Sequence, residues 1–278
     1  MSRLSWGHRF LMCPPEFYGV AYEINPWMHT SVRVDCDRAR LEWDGLVGTL
    51  REAGAEIEFQ CPVEGLPDLV FTANAGVVSG RRFVPAHFLH AERQGETALD
   101  AAYFAAAGYE VLELPAELRH EGAGDALPFG DVLVSGYRSR SDAASHQLIA
   151  GLLEVAVRSV ELVDPRLYHL DLVFCPLDAR RALVAPLGLD RYGLQVIEAL
   201  VPEPILLEDD EALAFCANAV VVGDVIVMAN CPPRLGRLLE SVGLSVALAP
   251  VGEFLKAGGG ARCLTLALDV ELGSARGA

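Results

Sequence analysis

Gly124–Gly136 reads GDALPFGDVLVSG, two short apolar runs separated by a Gly-Asp pair, which is the pattern of a β-hairpin. The chain continues with DAASHQLIAGLLE (142–154), whose apolar residues recur at helical spacing, and then with RSVELV (158–163), a strand. The order is therefore strand, turn, strand, helix, strand. Working outward, DLVFTANAGVVSGRRFVPA (68–86), ETALDAAYFAAAG (96–108) and YEVLELP (109–115) repeat it on the N-terminal side. On the C-terminal side come HLDLVFCPLDARRALVAP (169–186), LDRYGLQVIEALVP (189–202) and EPILLE (203–208). A further unit runs through FCANAVVVGDVIVMAN (215–230), PPRLGRLLESVG (232–243) and LSVALAP (244–250).

Each unit occupies roughly 45–50 residues, a period typical of repeat architectures. The first 60 residues hold one strand in RFLMCPP (9–15), the helix DRARLEWDGLVGTLREAG (37–54) and the strand AEIEFQCP (55–62), but no complete hairpin. The missing strand is available in ARCLTLALD (261–269) at the other end of the chain. The expectation is an α/β ring of five ββαβ modules, closed by both chain ends and without open edges. An ordinary α/β sandwich is the alternative, and the identical element order in every unit favours the ring. No low-complexity linker divides the sequence, so residues 1–278 read as one domain.

Composition narrows the function. With 278 residues and 52% hydrophobic residues, the chain is long enough for a large core. A net charge of −16 argues against nucleic acid or an anionic membrane as partner and suits a small cationic substrate. Seven cysteines without a C-x-x-C pair form neither a disulfide framework nor a zinc ribbon, so free thiols in a reducing cytoplasm are expected. The N-terminal residues lack the apolar stretch of a signal peptide, and no run is long enough to span a bilayer. A homo-oligomer is compatible with the sequence.

In a ring the leading strands converge, and polar residues gather near their ends: Asn74 in FTAN, Glu121 and Asp125 in EGAGD, His169 and Asp171 in YHLD, and Cys263 after AGGG. Singly, each has an ordinary explanation. Asn74 can close a turn, Glu121 can be solvated, His169 can be structural and Cys263 can be an inert buried thiol. Recurrence at matching points of successive modules changes that balance. A thiol beside a histidine becomes a nucleophile, the histidine moves protons, and carboxylates hold a cation such as a guanidinium. The glycines of KAGGGARCLTLALD (256–269) mark a place where main chain must bend or come close to a neighbour.

Through DLVFTANAG, RQGE, EGAGD, GYRSRSD, YHLD and AGGGARC, and over nearly its whole length, the chain resembles the guanidine-modifying (amidinotransferase-like) superfamily. That group contains arginine deiminases, dimethylarginine dimethylaminohydrolases, agmatine deiminases and glycine amidinotransferases. The resemblance implies the five-bladed pseudo-symmetric α/β propeller called the pentein fold. It also implies a Cys–His–Glu mechanism without metal or organic cofactor. Cys263 then matches the nucleophile, His169 the general acid/base, and Glu121 the carboxylate that holds the guanidinium and orients His169. Asp171 matches a second guanidinium ligand, and Arg93 and Arg140 match positions that bind the substrate α-carboxylate. Asp125 is expected to support its loop.

FTAN stands where deiminases carry FTRD, and together with MCPPEFY (12–18) and INPWM (24–28) it is similar to the arginine dihydrolase branch. There Asn25 would match a substrate-contacting asparagine. The implied reaction is hydrolysis of free L-arginine to ornithine, carbon dioxide and two ammonia. Arginine deimination to citrulline, hydrolysis of dimethylarginine, and a non-catalytic guanidino-binding propeller are the alternatives. Longer members of that branch carry an additional C-terminal domain, so this chain is expected to be a stand-alone hydrolase.

Overall fold

The strands Gly76–Ser79, Ala126–Phe129, Phe174–Pro176 and Val220–Val222 are buried along their whole length, as is Leu266–Ala267 near the C-terminal end. A strand covered on both faces has no side for polar residues, so it reads as a continuous apolar run rather than an alternation. The first four are the leading strands of the repeated units. The structure, a computed structural model, describes residues 3–273.

In chain order the strands are β1 (Arg9–Met12), β2 (Glu56–Phe59), β3 (Gly76–Ser79), β4 (Arg82–Pro85) and β5 (Glu110–Val111). They continue as β6 (Ala126–Phe129), β7 (Val132–Tyr137), β8 (Ala156–Glu161), β9 (Phe174–Pro176) and β10 (Arg181–Val184). The last are β11 (Glu203–Leu206), β12 (Val220–Val222), β13 (Val225–Met228), β14 (Ser245–Leu248) and β15 (Leu266–Ala267). They form five separate three-stranded sheets: β15-β1-β2, β3-β4-β5, β6-β7-β8, β9-β10-β11 and β12-β13-β14.

All five sheets share one pairing. The inner strand runs antiparallel to the middle one, and the middle runs parallel to the outer one. A parallel pair needs a crossover. It is supplied by the helices Cys36–Glu52, Glu96–Ala106, Ala143–Leu153, Arg191–Leu200 and Pro233–Ser241. Outer strands such as β2 and β14 are exposed at their ends and half-buried between, as edges facing solvent should be. The result is the pentein fold, a five-module α/β propeller.

Ring closure follows the sequence expectation. Phe10 and Leu11 of β1 pair with Ala267 and Leu266 of β15. The Asp269 carboxylate clasps the backbone N–H groups of Gly7 and His8 at 3.0 and 2.8 Å. The helices bury one face each: Trp43, Leu46 and Leu50 of the first point inward, and Asp35 caps it by accepting from Arg38 N. Asp190 caps the fourth in the same way through Gly193 N and Tyr192 N. Among the described residues, no helix is long and apolar enough to cross a membrane.

Candidate active site

A short turn precedes each inner strand. Thr72–Ala75, Gly122–Gly124 and Leu170–Leu172 are single 3-10 turns ahead of β3, β6 and β9, and the second touches both of the others. Asn74 stands two residues before β3, Glu121 and His169 five residues before β6 and β9, and Cys263 three residues before β15. Short strands converging from separate modules thus bring residues nearly 200 positions apart onto one cavity. Asn25, Asp68, Asn74, Arg93, Arg140, His169 and Cys263 all line it. Glu121 and Asp171 stand directly behind this wall, fully buried.

On one side of the cavity, His169 Nε2 lies 2.8 Å from Glu121 Oε2. The same oxygen accepts from Arg140 Nη1 at 2.9 Å, and Glu121 Oε1 accepts from Leu89 N at 3.2 Å. Burial alone would raise the Glu121 carboxyl. The Arg140 charge and the His169 hydrogen bond outweigh it and hold the group well below the ordinary carboxylate range. A fixed anion on one ring nitrogen orients the imidazole, as a general acid/base requires.

On the other side, the Cys263 thiol donates to Asp171 Oδ2 at 3.2 Å and its sulfur accepts from Asn218 Nδ2 at 3.1 Å. Burial, and then the Asp171 carboxyl, push the thiol well above its ordinary value. Burial pushes the Asp171 carboxyl up to about 7, with the Cys263 contact pulling the other way. Asp171 Oδ1 is buried without a hydrogen-bond partner. An unpartnered buried carboxylate oxygen is costly, and a guanidinium N–H in the cavity would satisfy it. Among the described residues no hydrogen bond joins His169 to Cys263. Both line the same cavity.

The sequence expectations for the remaining residues separate. Arg140 spends two of its five donors, on Glu121 and on Ile24 O, and lies over the Tyr168 ring; among the described residues the other three have no hydrogen-bond partner. Arg93 is more committed. Its fork grips Glu96 at 2.9 and 2.7 Å, and it also donates to Asn74 Oδ1 at 2.8 Å and Asp68 O at 3.2 Å. One donor remains. Asn25 lines the cavity, but its oxygen accepts from Trp27 N and Met28 N and its nitrogen donates to Ala257 O. Asp125 holds its loop through Ser141 Oγ at 2.6 Å and Leu170 N at 3.1 Å.

Three functional neighbours escaped the sequence reading. Glu96 fixes Arg93, and its i,i+3 spacing in RQGE was the available signal. Asp68 lines the cavity with one oxygen bound by the Tyr22 hydroxyl at 3.0 Å and the other unpartnered. Asn218 holds the thiol from behind, and the recurrence of F-x-A-N-A at 71–75 and 215–219 was its signal.

The glycines before Cys263 have separate tasks. A Cβ on Gly258 (φ +79°) would crowd Asn25, Trp27 and Tyr168 at 3.0 Å, and one on Gly259 would strike the Phe71 ring at 2.3 Å. One on Gly260 would lie 2.7 Å from Asn218 Oδ1. All seven cysteines are free. Among the described residues no group of three or more His, Cys, Asp or Glu side chains gathers as a metal site needs.

Comparison with known proteins agrees with this geometry. No protein-family model matches the chain. It is 45% identical over 263 residues to the bifunctional arginine dihydrolase/ornithine cyclodeaminase AgrE of Nostoc sp., covering 93% of this chain. The chain spans only 37% of that relative's length. It is 36% identical over 260 residues to the N(G),N(G)-dimethylarginine dimethylaminohydrolase of Mycobacterium tuberculosis, covering 93% of this chain and 85% of the relative. The crystal structure of the N-terminal domain of ArgZ, a cyanobacterial arginine dihydrolase bound to product, superposes with a TM-score of 0.92 at 43% identity. That match covers 95% of this chain and 98% of the other.

Proposed function

The chain belongs to the guanidine-modifying superfamily of arginine dihydrolases and dimethylarginine dimethylaminohydrolases, and on that premise we propose that it hydrolyses free L-arginine to ornithine, carbon dioxide and two ammonia. It is a hydrolase of the amidine class. The observation that carries the reading is the gathering of Cys263 and His169 on one cavity, His169 held by the Glu121 carboxylate and Cys263 beside the Asp171 carboxyl.

In the proposed course, the substrate guanidinium lies between Glu121 and Asp171, its N–H groups meeting the free Asp171 oxygen. Arg140, with the remaining Arg93 donor, takes the α-carboxylate, and the unpartnered Asp68 oxygen takes the α-ammonium. Cys263 Sγ attacks the guanidinium carbon, and His169 gives a proton to the departing ammonia. His169 then takes a proton from a water that attacks the sulfur-bound carbon, and the C–S bond breaks to free Cys263 and leave the ureido compound. In the second round Cys263 attacks the ureido carbon, and the remaining terminal nitrogen leaves as ammonia. Water cleaves the resulting thiocarbamate from sulfur to a carbamate that loses carbon dioxide to leave ornithine. Over both nitrogens the balance is arginine plus two waters to ornithine, carbon dioxide and two ammonia.

Asn74 supports two rounds rather than one. Its oxygen faces the Arg93 donor at 2.8 Å, so its nitrogen must face the Glu121 carbonyl at 3.2 Å. The second N–H of that nitrogen is left for the cavity. It can donate to a ureido oxygen, which a carboxylate in its place would repel. A neutral ureido intermediate is thereby held for a second attack.

The identity to the mycobacterial dimethylarginine hydrolase keeps a second reading in play: release of citrulline after one round. The test is to incubate the purified protein with arginine, in parallel with and without EDTA, and to identify products by mass. Ornithine with about two ammonia per arginine supports the proposal. Citrulline with one ammonia replaces it with the second reading. No turnover of arginine or methylated arginine favours a non-catalytic binding role. We further take residues 1–278 as one catalytic unit, because β1 and β15 join the two ends of the described chain in one sheet. Its free thiols and −16 charge support a cytoplasmic enzyme with a small cationic substrate.

A further inference from the structure

Four of the five turns supply side chains to the proposed chemistry. The turn before β12 supplies none, yet it carries Asn218, which is completely buried beside the nucleophile. Asn218 Oδ1 accepts from the backbone N–H groups of Arg262 and Cys263 at 3.0 and 3.2 Å. Two N–H donors can be met only by an oxygen, so the orientation of the amide is determined by its surroundings. Its nitrogen must face the other way. There it donates to the carbonyl of Asp171 at 3.2 Å and to Cys263 Sγ at 3.1 Å. Every hydrogen-bonding direction that this side chain uses is directed at residues on either side of the sulfur. Gly260 completes the arrangement, since a side chain there would collide with the amide oxygen.

We infer that Asn218 is a positioning residue of the reaction: its carboxamide clamps the main chain that carries Cys263 and aims an N–H at the sulfur, favouring thiolate over thiol. The inference deepens the reading of Cys263 as nucleophile and rests on it. A donor to the charged form of a group stabilises that form. The Gly260 backbone also favours the thiolate, and the ionisable neighbours do not supply this steadily. Asp171 lies 3.2 Å from the sulfur and, once ionised, repels a thiolate. Tyr168 donates its hydroxyl to Gly258 O, and His169 lines the same cavity without a hydrogen bond to Cys263 among the described residues. Arg262 is buried next to Cys263 with its guanidinium 5.5 Å from the centre of the Trp6 ring. Asn218 is a neutral donor whose contribution does not change with pH.

Asn218→Asp separates this role from a structural one. It keeps an oxygen for the two backbone N–H groups and removes the donor facing the sulfur. Asn218→Ala removes both. The measurement is alkylation of Cys263 by iodoacetamide across pH, read by mass on the peptide containing it. In both variants the midpoint should rise by at least about one pH unit. Turnover of arginine should fall about 100-fold while KM changes by less than about threefold. The melting temperature of Asn218→Asp should stay within a few degrees of wild type. An unchanged midpoint, an activity loss that merely tracks lost stability, or failure of both variants to fold would overturn the proposal. Alkylation is read without arginine, so failure of the nucleophile reading shows separately, as a Cys263→Ser protein that still turns over.

Discussion

Phe71–Ala75 and Phe215–Ala219 carry almost the same pentapeptide, FTANA and FCANA, and both place their asparagine two residues before an inner strand. Their surroundings assign them to opposite halves of the site. Asn74 donates to the carbonyl of Glu121 and accepts from Arg93, beside the proposed general base. Asn218 donates to Cys263 Sγ and accepts from the backbone beside it, on the side of the nucleophile. In each case the neighbouring module makes room with a glycine: Gly124, where a Cβ would lie 2.2 Å from Asn74 Nδ2, and Gly260 for Asn218. The backbones differ too, with φ of −86° at Phe71 and +58° at Phe215. A bulky residue at positive φ is strained by about 1–3 kcal/mol, which the turn around Asn218 sustains. What a turn does in this ring is therefore decided by the module it faces, not by its own sequence.

The largest effect belongs to the group both turns surround. Cys263→Ser should lower turnover at least ~10³-fold, because a hydroxyl lacks the nucleophilicity of a thiolate at neutral pH. Steady-state assays on double variants sharpen the contrast. On that background Asn218→Asp should cost nothing more, since its target is gone. Substantial activity in Cys263→Ser would break the scheme at its base.

Next comes the side that Asn74 serves. His169→Ala should reduce turnover about 10²–10³-fold with arginine binding retained in calorimetry, while Glu121→Gln should reduce turnover by a similar factor and also weaken arginine binding. A histidine of structural importance alone would show itself instead as a lower melting temperature without a separate catalytic defect.

Asp171 belongs to the nucleophile side, and its ionisation can be followed directly. Burial raises its carboxyl to about 7, so it is neutral below that pH and a carboxylate above it. A cationic substrate needs the carboxylate, so kcat/KM for arginine should rise as pH increases through about 7. In Asp171→Asn that rise should disappear, with kcat/KM about 100-fold lower at mildly alkaline pH. A rise preserved in the variant assigns the titration to another group.

The smallest effects separate the two turns most finely. Gly124→Ala and Gly260→Ala each force a side chain against one asparagine and should cost about 1–3 kcal/mol of stability in denaturant titrations. Gly124→Ala should disturb the product ratio, and Gly260→Ala should slow alkylation of Cys263. Identical outcomes would remove the distinction between the regions.

Much of this was legible before any coordinates. The module order showed itself because inner strands such as Val220–Val222 are covered on both faces and must be apolar throughout. The closure of β1 on β15 could be anticipated from a unit lacking its first strand. Of the candidate residues, Cys263 and His169 line one cavity, with Asp171 and Glu121 as their hydrogen-bond partners. Hidden from the sequence was how each donor is spent. Arg93 looks like a free substrate ligand, yet Glu96 and Asn74 take most of its fork. The thiol pairs with Asp171 and Asn218, partners supplied by turns of two other modules. Asn218 was visible as a repeated motif but silent about its target, which lies 45 residues away in another module.

Ammonia released per arginine consumed, measured on wild type, Asn218→Asp and Asn74→Asp, tests the division of labour most directly. Wild type should release about two, through attack at one carbon in two rounds. Asn218→Asp should be slow but still release about two, because the ureido intermediate remains held by Asn74. Asn74→Asp should fall toward one, with citrulline appearing as ornithine declines. One ammonia from wild type, or a shift toward citrulline in Asn218→Asp as large as in Asn74→Asp, would contradict it.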